Sequence, residues 1–194
     1  LGEQSETLII RCHDLSSGTL QWKKIFESPV KIKRSQYVSQ AAPSPVTDEF
    51  GVYAFFESGL LIALDHNGKV LWKRSLTEEY GPMLGNHGIG GSLTQSMDSI
   101  GLLVDHAGPS YLLSINKKTG ENRWKVERPE RVSWSSPTLV SKDDQENLFI
   151  SSNGVVECFN FKTGQKIWSK EGIEGNTVAS PTVSNDKVIV GSSK

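Results

Sequence analysis

Six polar or aromatic side chains in this sequence could surround a polar ligand if the fold brought their loops together. They are His87, Asp105, His106, Arg131, Trp134 and Asn176. Two imidazoles, a carboxylate, a guanidinium, an amide and an indole around one funnel suit a carbohydrate or a peptide, because ligand sites combine apolar surface with a few convergent polar groups. The alternative that they are ordinary loop residues stays open, since loops carry polar side chains in any protein.

The sequence lacks the short motifs that accompany most catalytic and metal sites. It contains no Cys-x-x-Cys, no His-Glu-x-x-His, no phosphate-binding glycine loop and no Gly-x-Ser-x-Gly around a nucleophilic serine. Its acidic residues are scattered and form no calcium loop, although Ca²⁺ requires six to eight oxygen ligands. We therefore predict no catalytic residue, no metal site and no cofactor.

The two cysteines are predicted to be structural. Cys12 and Cys158 each lie ten residues before a tryptophan, and Ser114 takes the same place before a third one. Ala63 takes it before a fourth, once a one-residue deletion is allowed for. A position that accepts Ala, Ser and Cys is a small, buried strand position, so we expect neither redox chemistry nor a disulfide.

Composition excludes several classes of partner. The formal net charge is −1, which gives no electrostatic footprint for nucleic acid. No apolar stretch approaches the roughly 18 residues of a membrane-spanning helix. Leu1 is not followed by the charged and apolar regions of a signal peptide, so the residues themselves do not indicate a compartment.

The elements that would position these residues form a repeat. Tryptophans recur 50, 52 and 44 residues apart, and a glycine lies four residues before each. The tryptophans are Trp22, Trp72, Trp124 and Trp168, and the glycines are Gly18, Gly68, Gly120 and Gly164. An apolar run with β-branched residues precedes each glycine, and a short polar turn containing a glycine favours a tight hairpin. Each segment is therefore predicted to be a β-hairpin with an indole on its outgoing strand.

A second marker precedes each of the later hairpins. Ser44, Ser136 and Ser180 are followed by proline and an apolar run, and Ser92 takes the same place before Leu93. A β-rich run follows each serine, at residues 52–56, 102–106, 148–152 and 188–192. Four short antiparallel strands repeated every 44 to 52 residues predict an all-β fold, a β-propeller of four-stranded blades. We expect the tryptophans to pack between neighbouring blades.

In a propeller, the first strand of each blade lines the central channel, and the loops entering it face the axial pocket. His87, Arg131, Trp134 and Asn176 precede first strands, and Asp105 with His106 falls in a turn between second and third strands. The predicted fold is therefore compatible with the funnel described above, and the interpretation as ordinary loop residues remains the favoured one.

These hairpins resemble the repeat of the quinoprotein-type, or PQQ-like, propellers, a group that includes PQQ-dependent dehydrogenases and BamB-like lipoproteins. The segments LIALDHNGKVLW, INKKTGENRW and FNFKTGQKIW carry the resemblance, which covers nearly the whole chain. The resemblance implies seven or eight blades and a periplasmic or secreted location. In its dehydrogenases it also implies PQQ with calcium, but the adjacent cysteines common near that cofactor are missing here.

The chain contains about four blades of sequence in a single domain spanning 1–194. Three blades are predicted at 41–76, 89–128 and 132–172, a third-and-fourth-strand hairpin at 7–26, and first and second strands at 176–194. The two end pieces could close a four-bladed ring, two chains could assemble eight blades, or a longer chain could complete the propeller, which is the alternative we favour.

Three functions are compatible with these residues. We favour a non-catalytic binding or protein–protein scaffolding module with an unknown protein partner. The alternatives are the propeller of a PQQ-dependent quinoprotein dehydrogenase, and a small module that binds a carbohydrate or peptide through the funnel.

Overall fold

The computed structural model describes residues 7–31, 41–85, 88–173 and 178–192. Within these ranges the chain forms sixteen β-strands and one short helix, which confirms the all-β prediction. In the described residues no helix is long and apolar enough to cross a lipid bilayer.

Twelve of the strands form three antiparallel sheets of four, each in chain order, and we call these sheets blades 1, 2 and 3. Blade 1 contains β3 (Val46–Thr47), β4 (Val52–Phe55), β5 (Leu60–Leu64) and β6 (Val70–Ser75). Blade 2 contains β7 (Thr94–Gln95), β8 (Ser99–Val104), β9 (Ser110–Asn116) and β10 (Asn122–Arg128). Blade 3 contains β11 (Thr138–Lys142), β12 (Gln145–Ser152), β13 (Val155–Asn160) and β14 (Lys166–Glu171).

Two shorter sheets flank the blades in the sequence. A hairpin of β1 (Thr7–His13) and β2 (Leu20–Glu27) precedes blade 1, and a pair of β15 (Thr182–Ser184) and β16 (Lys187–Ile189) follows blade 3. Leu8 and Ile10 of the first hairpin pack against Ile62 and Leu64 of blade 1. The pair β15–β16 contacts β11, so both short sheets extend the stack.

Each predicted hairpin turns at its glycine. Gly120 has a φ of 74°, a left-handed conformation that costs other residues strain, and its N–H donates to the Asn116 carbonyl. The Asn116 side chain caps the same turn by accepting the Lys118 N–H at 2.8 Å. Blade 1 has the shorter turn that its sequence indicates, since the Gly68 N–H reaches Asp65 only three residues earlier.

The tryptophans join neighbouring sheets through these turns. The Trp72 indole of blade 1 donates its N–H to the Lys117 carbonyl of blade 2 at 2.7 Å. Its ring lies against Gly120, where a Cβ atom would approach Trp72 Cδ2 to 2.7 Å. Equivalent contacts join Trp22 to the turn of Gly68 and Trp124 to the turn of Gly164. The glycine is therefore required twice, by its backbone conformation and by the indole that covers it.

The serine markers form a second set of connections between blades. The Ser44 N–H donates to the Ser92 hydroxyl at 2.9 Å, and the Ser92 N–H donates to the Ser136 hydroxyl at 2.8 Å. The Ser136 N–H donates in turn to the Ser180 hydroxyl at 2.9 Å. These bonds lie just before the first strands and connect the three blades and the β15–β16 pair in one direction.

The core lies between the blades. Tyr53, Phe55 and Leu61 of blade 1 face Leu102 and Leu113 of blade 2 in one cluster of buried side chains. Small residues stand opposite the tryptophans across each hairpin, with Ala63 paired to Trp72 and Cys158 to Trp168. Both cysteines are free thiols, as predicted.

Helix α1 (Leu76–Tyr80) was not expected from the sequence, which shows no helical periodicity. It is a single turn directly after β6, with Leu76 and Thr77 buried. The Leu76 N–H bonds the Gly59 carbonyl, and the Thr77 hydroxyl bonds the Ser58 carbonyl, so tertiary contacts hold a segment too short to be stable alone. The helix begins the long loop that leads into blade 2.

Candidate functional site

The loops between blades and the turns between second and third strands lie at the same end of the antiparallel sheets. Asp105 and His106 lie in the turn between β8 and β9, and Arg131 and Trp134 lie in the loop between β10 and β11. Of the six predicted ligand-binding residues, His87 and Asn176 are outside the described residues. The other four occupy the end of the blades to which the sequence assigns them, and we call it the loop end.

Asp105 is buried in an ion pair that the sequence did not indicate. Arg128, at the end of β10, brings its Nε within 2.8 Å of Asp105 Oδ1 and its Nη2 within 3.1 Å of Oδ2. The Ser152 hydroxyl of blade 3 donates to Oδ2 at 2.5 Å. Both oxygens of this carboxylate therefore have partners within the protein, and the carboxylate links blade 2 to blade 3.

The same arginine reaches a second buried carboxylate. Arg128 Nη1 lies 2.7 Å from Glu157 Oε2, Lys166 Nζ lies 2.7 Å from Oε1, and Arg131 Nη1 lies 3.7 Å from Oε2. Burial would raise the pKa of Glu157, but Arg128 and Lys166 outweigh it and hold this pKa below its ordinary value. The structure thus places Asp105 and Arg131 in one five-residue cluster, with Arg128 at its centre.

His106 contacts the loop that leads from blade 1 into blade 2. Its Nδ1 accepts the Leu84 N–H at 2.9 Å, which assigns the proton of the neutral ring to Nε2. Burial lowers the pKa of His106, because the charged imidazolium loses its hydration. The Ala107 N–H also bonds the Leu84 carbonyl, so this turn holds the preceding loop by its backbone.

Trp134 packs on the same loop at Gly90. A Cβ atom on Gly90 would approach Trp134 Cδ1 to 3.1 Å, so the glycine permits close contact between two successive inter-blade loops. Arg131 is largely buried, with 12% of its side chain exposed. Asp105 and His106 therefore join neighbouring blades and loops through hydrogen bonds within the protein. Arg131 is held less closely, since its buried Nε and Nη1 atoms have no hydrogen-bond partner among the described residues.

Arg128 and Glu157 were missed at the sequence level. Glu157 lies in the apolar strand VVECFN and is 2% exposed, so a charged residue inside a buried strand was the available signal. Its partner is 29 positions earlier and in another blade, which no spacing rule indicates.

Within the described ranges, no group of three His, Cys, Asp or Glu side chains lies close enough together to hold a metal ion. Asp105, the buried carboxylate of the loop end, has both oxygens engaged by Arg128 and Ser152.

The opposite end of the blades carries an apolar groove. We call this the turn groove; it is a cavity of about 510 Å³ between the turns of blades 1 and 2. Phe50, Leu71 and Met97 line it and are 51%, 49% and 85% exposed. Tyr53 lies at its buried side, and the Lys118 ammonium lies 5.8 Å from the centroid of the Phe50 ring.

The repeat itself does not require these exposed apolar residues. Phe50 and Met97 each lie in the turn between the first and second strands of their blades, and the same turn of blade 3 contains Asp143 and Asp144. Those aspartates have φ values of 50° and 61° and are exposed, as expected for a solvated turn. The signal in the sequence is one large apolar residue in each of two otherwise polar turns. Single exposed apolar residues are common, so neither residue alone indicates a binding site. The fold makes them a candidate site by bringing both turns to one groove.

Comparison with solved structures places this architecture among the β-propellers. BamB from Moraxella catarrhalis matches with a TM-score of 0.61 and 16% identity, over 95% of this chain and 49% of that one. Quinohemoprotein alcohol dehydrogenase from Comamonas testosteroni matches with a TM-score of 0.62 and 12% identity, over 91% of this chain and 34% of that one. A europium-containing methanol dehydrogenase matches with a TM-score of 0.60 and 14% identity, over 84% and 38%.

At these identities the structures show the fold alone, which confirms the predicted propeller. This chain spans about a third to a half of the length of these proteins. No curated protein matches it. The family model described as outer membrane protein assembly factor BamB matches residues 6–194, almost the entire sequence. The chain therefore belongs to the BamB family of PQQ-like β-propellers, as its repeat indicated.

Proposed function

We propose that this chain is a non-catalytic propeller that binds a protein partner through the turn groove and needs no cofactor. By its family's description, the process it serves is the assembly of outer membrane proteins. Its proposed location is periplasmic or secreted, as the resemblance of its repeat implies. The observation that carries the proposal is the exposure of Phe50, Leu71 and Met97 around one cavity.

Clustered apolar exposure supports binding because it is unfavourable in water unless something covers it. Single exposed apolar residues are ordinary, but a contiguous patch rimmed by polar residues is typical of an interaction site. The equivalent turn of blade 3 shows that this repeat folds with polar residues at the same place. The fold does not require Phe50 and Met97 to be exposed to water, so contact with a binding partner best explains why apolar residues occur at these two positions.

The loop end supports the same function from the other side. Asp105 and His106 contact other residues of the protein at close range, and they hold neighbouring blades and loops together. Their positions suit a rigid platform, and a rigid platform presents its opposite surface with little loss of conformational entropy when a partner binds.

Site-specific photo-cross-linking tests the proposal in cells that express the protein. A photo-reactive amino acid at position 50 should form a discrete adduct, and the same group at position 144 of blade 3 is the matched control. The cross-linked protein is then identified and its affinity measured with both purified proteins. The double variant Phe50→Ser/Met97→Ser should lower that affinity by at least about tenfold, since buried aromatic anchors dominate interface energies.

Two outcomes would contradict the proposal. One is equal adduct formation at positions 50 and 144. The other is a purified complex whose affinity is unchanged by the double variant. Thermal unfolding of the variant should match that of the parent, because both side chains are exposed and contribute little to the core.

A further inference from the structure

The contact that joins neighbouring sheets is left open once on each side of the stack. The first three repeat tryptophans each cover the turn glycine of the next sheet and donate to a carbonyl there. Trp168 packs on Phe149 of its own blade, with ring centroids 6.0 Å apart, but its N–H has no acceptor among the described residues. Gly18 has the conformation of the other turns, with a φ of 69°, and a Cβ atom there would have no described atom within 4 Å. The chain thus carries one unused indole and one unused turn.

The first hairpin also exposes apolar side chains that such a junction would bury. Leu15 directly follows the capping Asp of its turn, as Lys117 and Phe161 follow the capping Asn of theirs. The carbonyls of those two residues accept an indole N–H, and their side chains are buried against the preceding blade. Leu15 itself is fully exposed. Ile9 and Ile25 pair across β1 and β2 and are 38% and 58% exposed, on the side away from blade 1. We call this side of the first hairpin, with Leu15 and the unused turn, the hairpin face.

The two short sheets are complementary halves of a blade. In each complete blade the second strand pairs with the third in antiparallel fashion. Strands β15 and β16 follow a marker serine and occupy the first and second positions, whereas β1 and β2 end in a repeat tryptophan hairpin and occupy the third and fourth. Within the described chain they remain two separate sheets. Strands β16 and β1 therefore each present an edge whose backbone groups can pair with an added strand.

A second copy of this chain carries everything that these surfaces require. It offers an uncovered indole to the hairpin face, an uncovered glycine turn to Trp168, and the missing half of each split blade. Two different surfaces of one molecule that fit each other form a head-to-tail contact, which closes into a ring when the geometry permits. Because 95% of this chain matches 49% of the Moraxella BamB, two copies supply about the length of one such propeller.

We infer that two copies of this chain assemble head to tail into one closed propeller. Strand β16 of one copy pairs with β1 of the other, while Trp168 of the first covers the Gly18 turn of the second and donates to its Leu15 carbonyl. The same contacts form again with the roles of the copies exchanged. The ring then holds six complete blades and two shared ones, within the usual range of about 4–8 blades. On dilution the ring separates, and a single chain again leaves the Gly18 turn uncovered.

Light scattering on size-fractionated protein tests the assembly with the 194-residue chain over a series of concentrations. The parent should give a species of twice the chain mass that dissociates on dilution. Leu15→Glu should weaken this dimer at least about tenfold, because it places a charge in an apolar contact at both junctions. Met97→Glu makes the same change at an exposed side chain of the turn groove and should leave the dimer unchanged. Both side chains are exposed, so both variants should retain the melting temperature of the parent when all are measured as dilute monomers.

Mixing of variants tests whether the contact is head to tail. Leu15→Glu and Trp168→Glu each break both junctions of their own dimer. In a mixed dimer both glutamates fall in one junction and the other is intact, so the mixture should dimerise at least about tenfold more tightly than either variant alone. Leu15→Glu mixed with Ile25→Glu is the matched control, because both changes lie on the hairpin face and every junction keeps a defect. If circular dichroism shows that Trp168→Glu does not fold, Gly18→Glu with Leu15→Glu restored in neither junction is replaced by the single variant Leu15→Glu, whose effect on the dimer remains decisive.

Several results would overturn the inference. They are a monomer at every concentration, a ladder of open oligomers, a dimer that Leu15→Glu does not weaken, and equal gains in the two mixtures. In cells, a photo-reactive amino acid at position 15 should give an adduct of twice the chain mass, and an adduct with a different protein would assign the hairpin face to that protein instead. None of these results involves the turn groove, so the proposed function is tested separately.

Discussion

Substitution of Gly120 by alanine should destabilise the protein through two separable effects. The first is backbone strain, because an alanine at a φ of 74° costs about 1–2 kcal/mol. The second is a clash, because the new Cβ atom would lie 2.7 Å from Trp72 Cδ2, and overpacking of this kind costs roughly 1–3 kcal/mol. We therefore expect Gly120→Ala to lower the free energy of unfolding by about 2–5 kcal/mol.

Two comparisons isolate the contact with the indole. Gly18 has nearly the same conformation, with a φ of 69°, but a Cβ atom there would meet nothing within 4 Å. Gly18→Ala should therefore cost only the strain, about 1–2 kcal/mol. In a Trp72→Leu background the clash is absent, so Gly120→Ala should also fall to that cost, which gives a coupling energy of about 1–3 kcal/mol between the two positions.

Equilibrium unfolding in urea measures all four corners of this double-mutant cycle, with an unchanged m-value as the check on two-state behaviour. Equal costs for Gly18→Ala and Gly120→Ala would refute the reasoning. So would strict additivity of Trp72→Leu and Gly120→Ala. Either result would mean that the indole does not press on the turn of the next blade, and that the tryptophans do not join the blades in this way.

Three further predictions concern charge and burial. Arg128→Met should cost about 3–5 kcal/mol in urea unfolding, because it leaves the buried Asp105 carboxylate without a charged partner, while Glu157 keeps Lys166. Arg123→Met, at an exposed pair, should cost less than about 1 kcal/mol, and equal costs would contradict the buried cluster. The pKa of His106 in the folded protein is below its ordinary 6.5, so on acidification the unfolded state binds a proton before the folded state does. The free energy of unfolding should therefore fall as pH drops below about 6.5. Thermal unfolding measured against pH should show a weaker dependence on pH in His106→Gln. Burial raises the pKa of Cys158 to about 11, so in the native protein this thiol should react with a chromogenic disulfide reagent far more slowly than the half-buried Cys12, and equal rates would contradict the packing.

The repeat was predictable because its signals are local. A tryptophan, a turn glycine and a capping Asp or Asn occur within one hairpin, so the residues that specify the turn are neighbours in sequence. The partner of each indole was not predictable to the same degree. The bond from Trp72 reaches Lys117, 45 positions later, and only the stacking of blades brings those groups together.

The candidate ligand residues show the opposite case. Asp105 and His106 are polar residues in a turn, which favours exposure and ligand contact when only the sequence is considered. In the structure both are 2% exposed, because Arg128 and the Leu84 backbone supply partners that lie distant in sequence. Burial of a polar group depends on partners, and a single sequence does not show which partners the fold will supply.

The bonds between the marker serines have a consequence for how such a protein can change over generations. At each of these junctions, the backbone N–H of one marker serine donates to the hydroxyl of the marker serine in the next sheet along the chain. The donors are Ser44, Ser92 and Ser136, and the acceptors are Ser92, Ser136 and Ser180. The three junctions from blade 1 to the β15–β16 pair are therefore made from the same pair of groups. A gene duplication or deletion that removes or adds one whole unit would leave a matching donor and acceptor at the new junction, so propellers of different size can arise in one step without a new contact having to evolve.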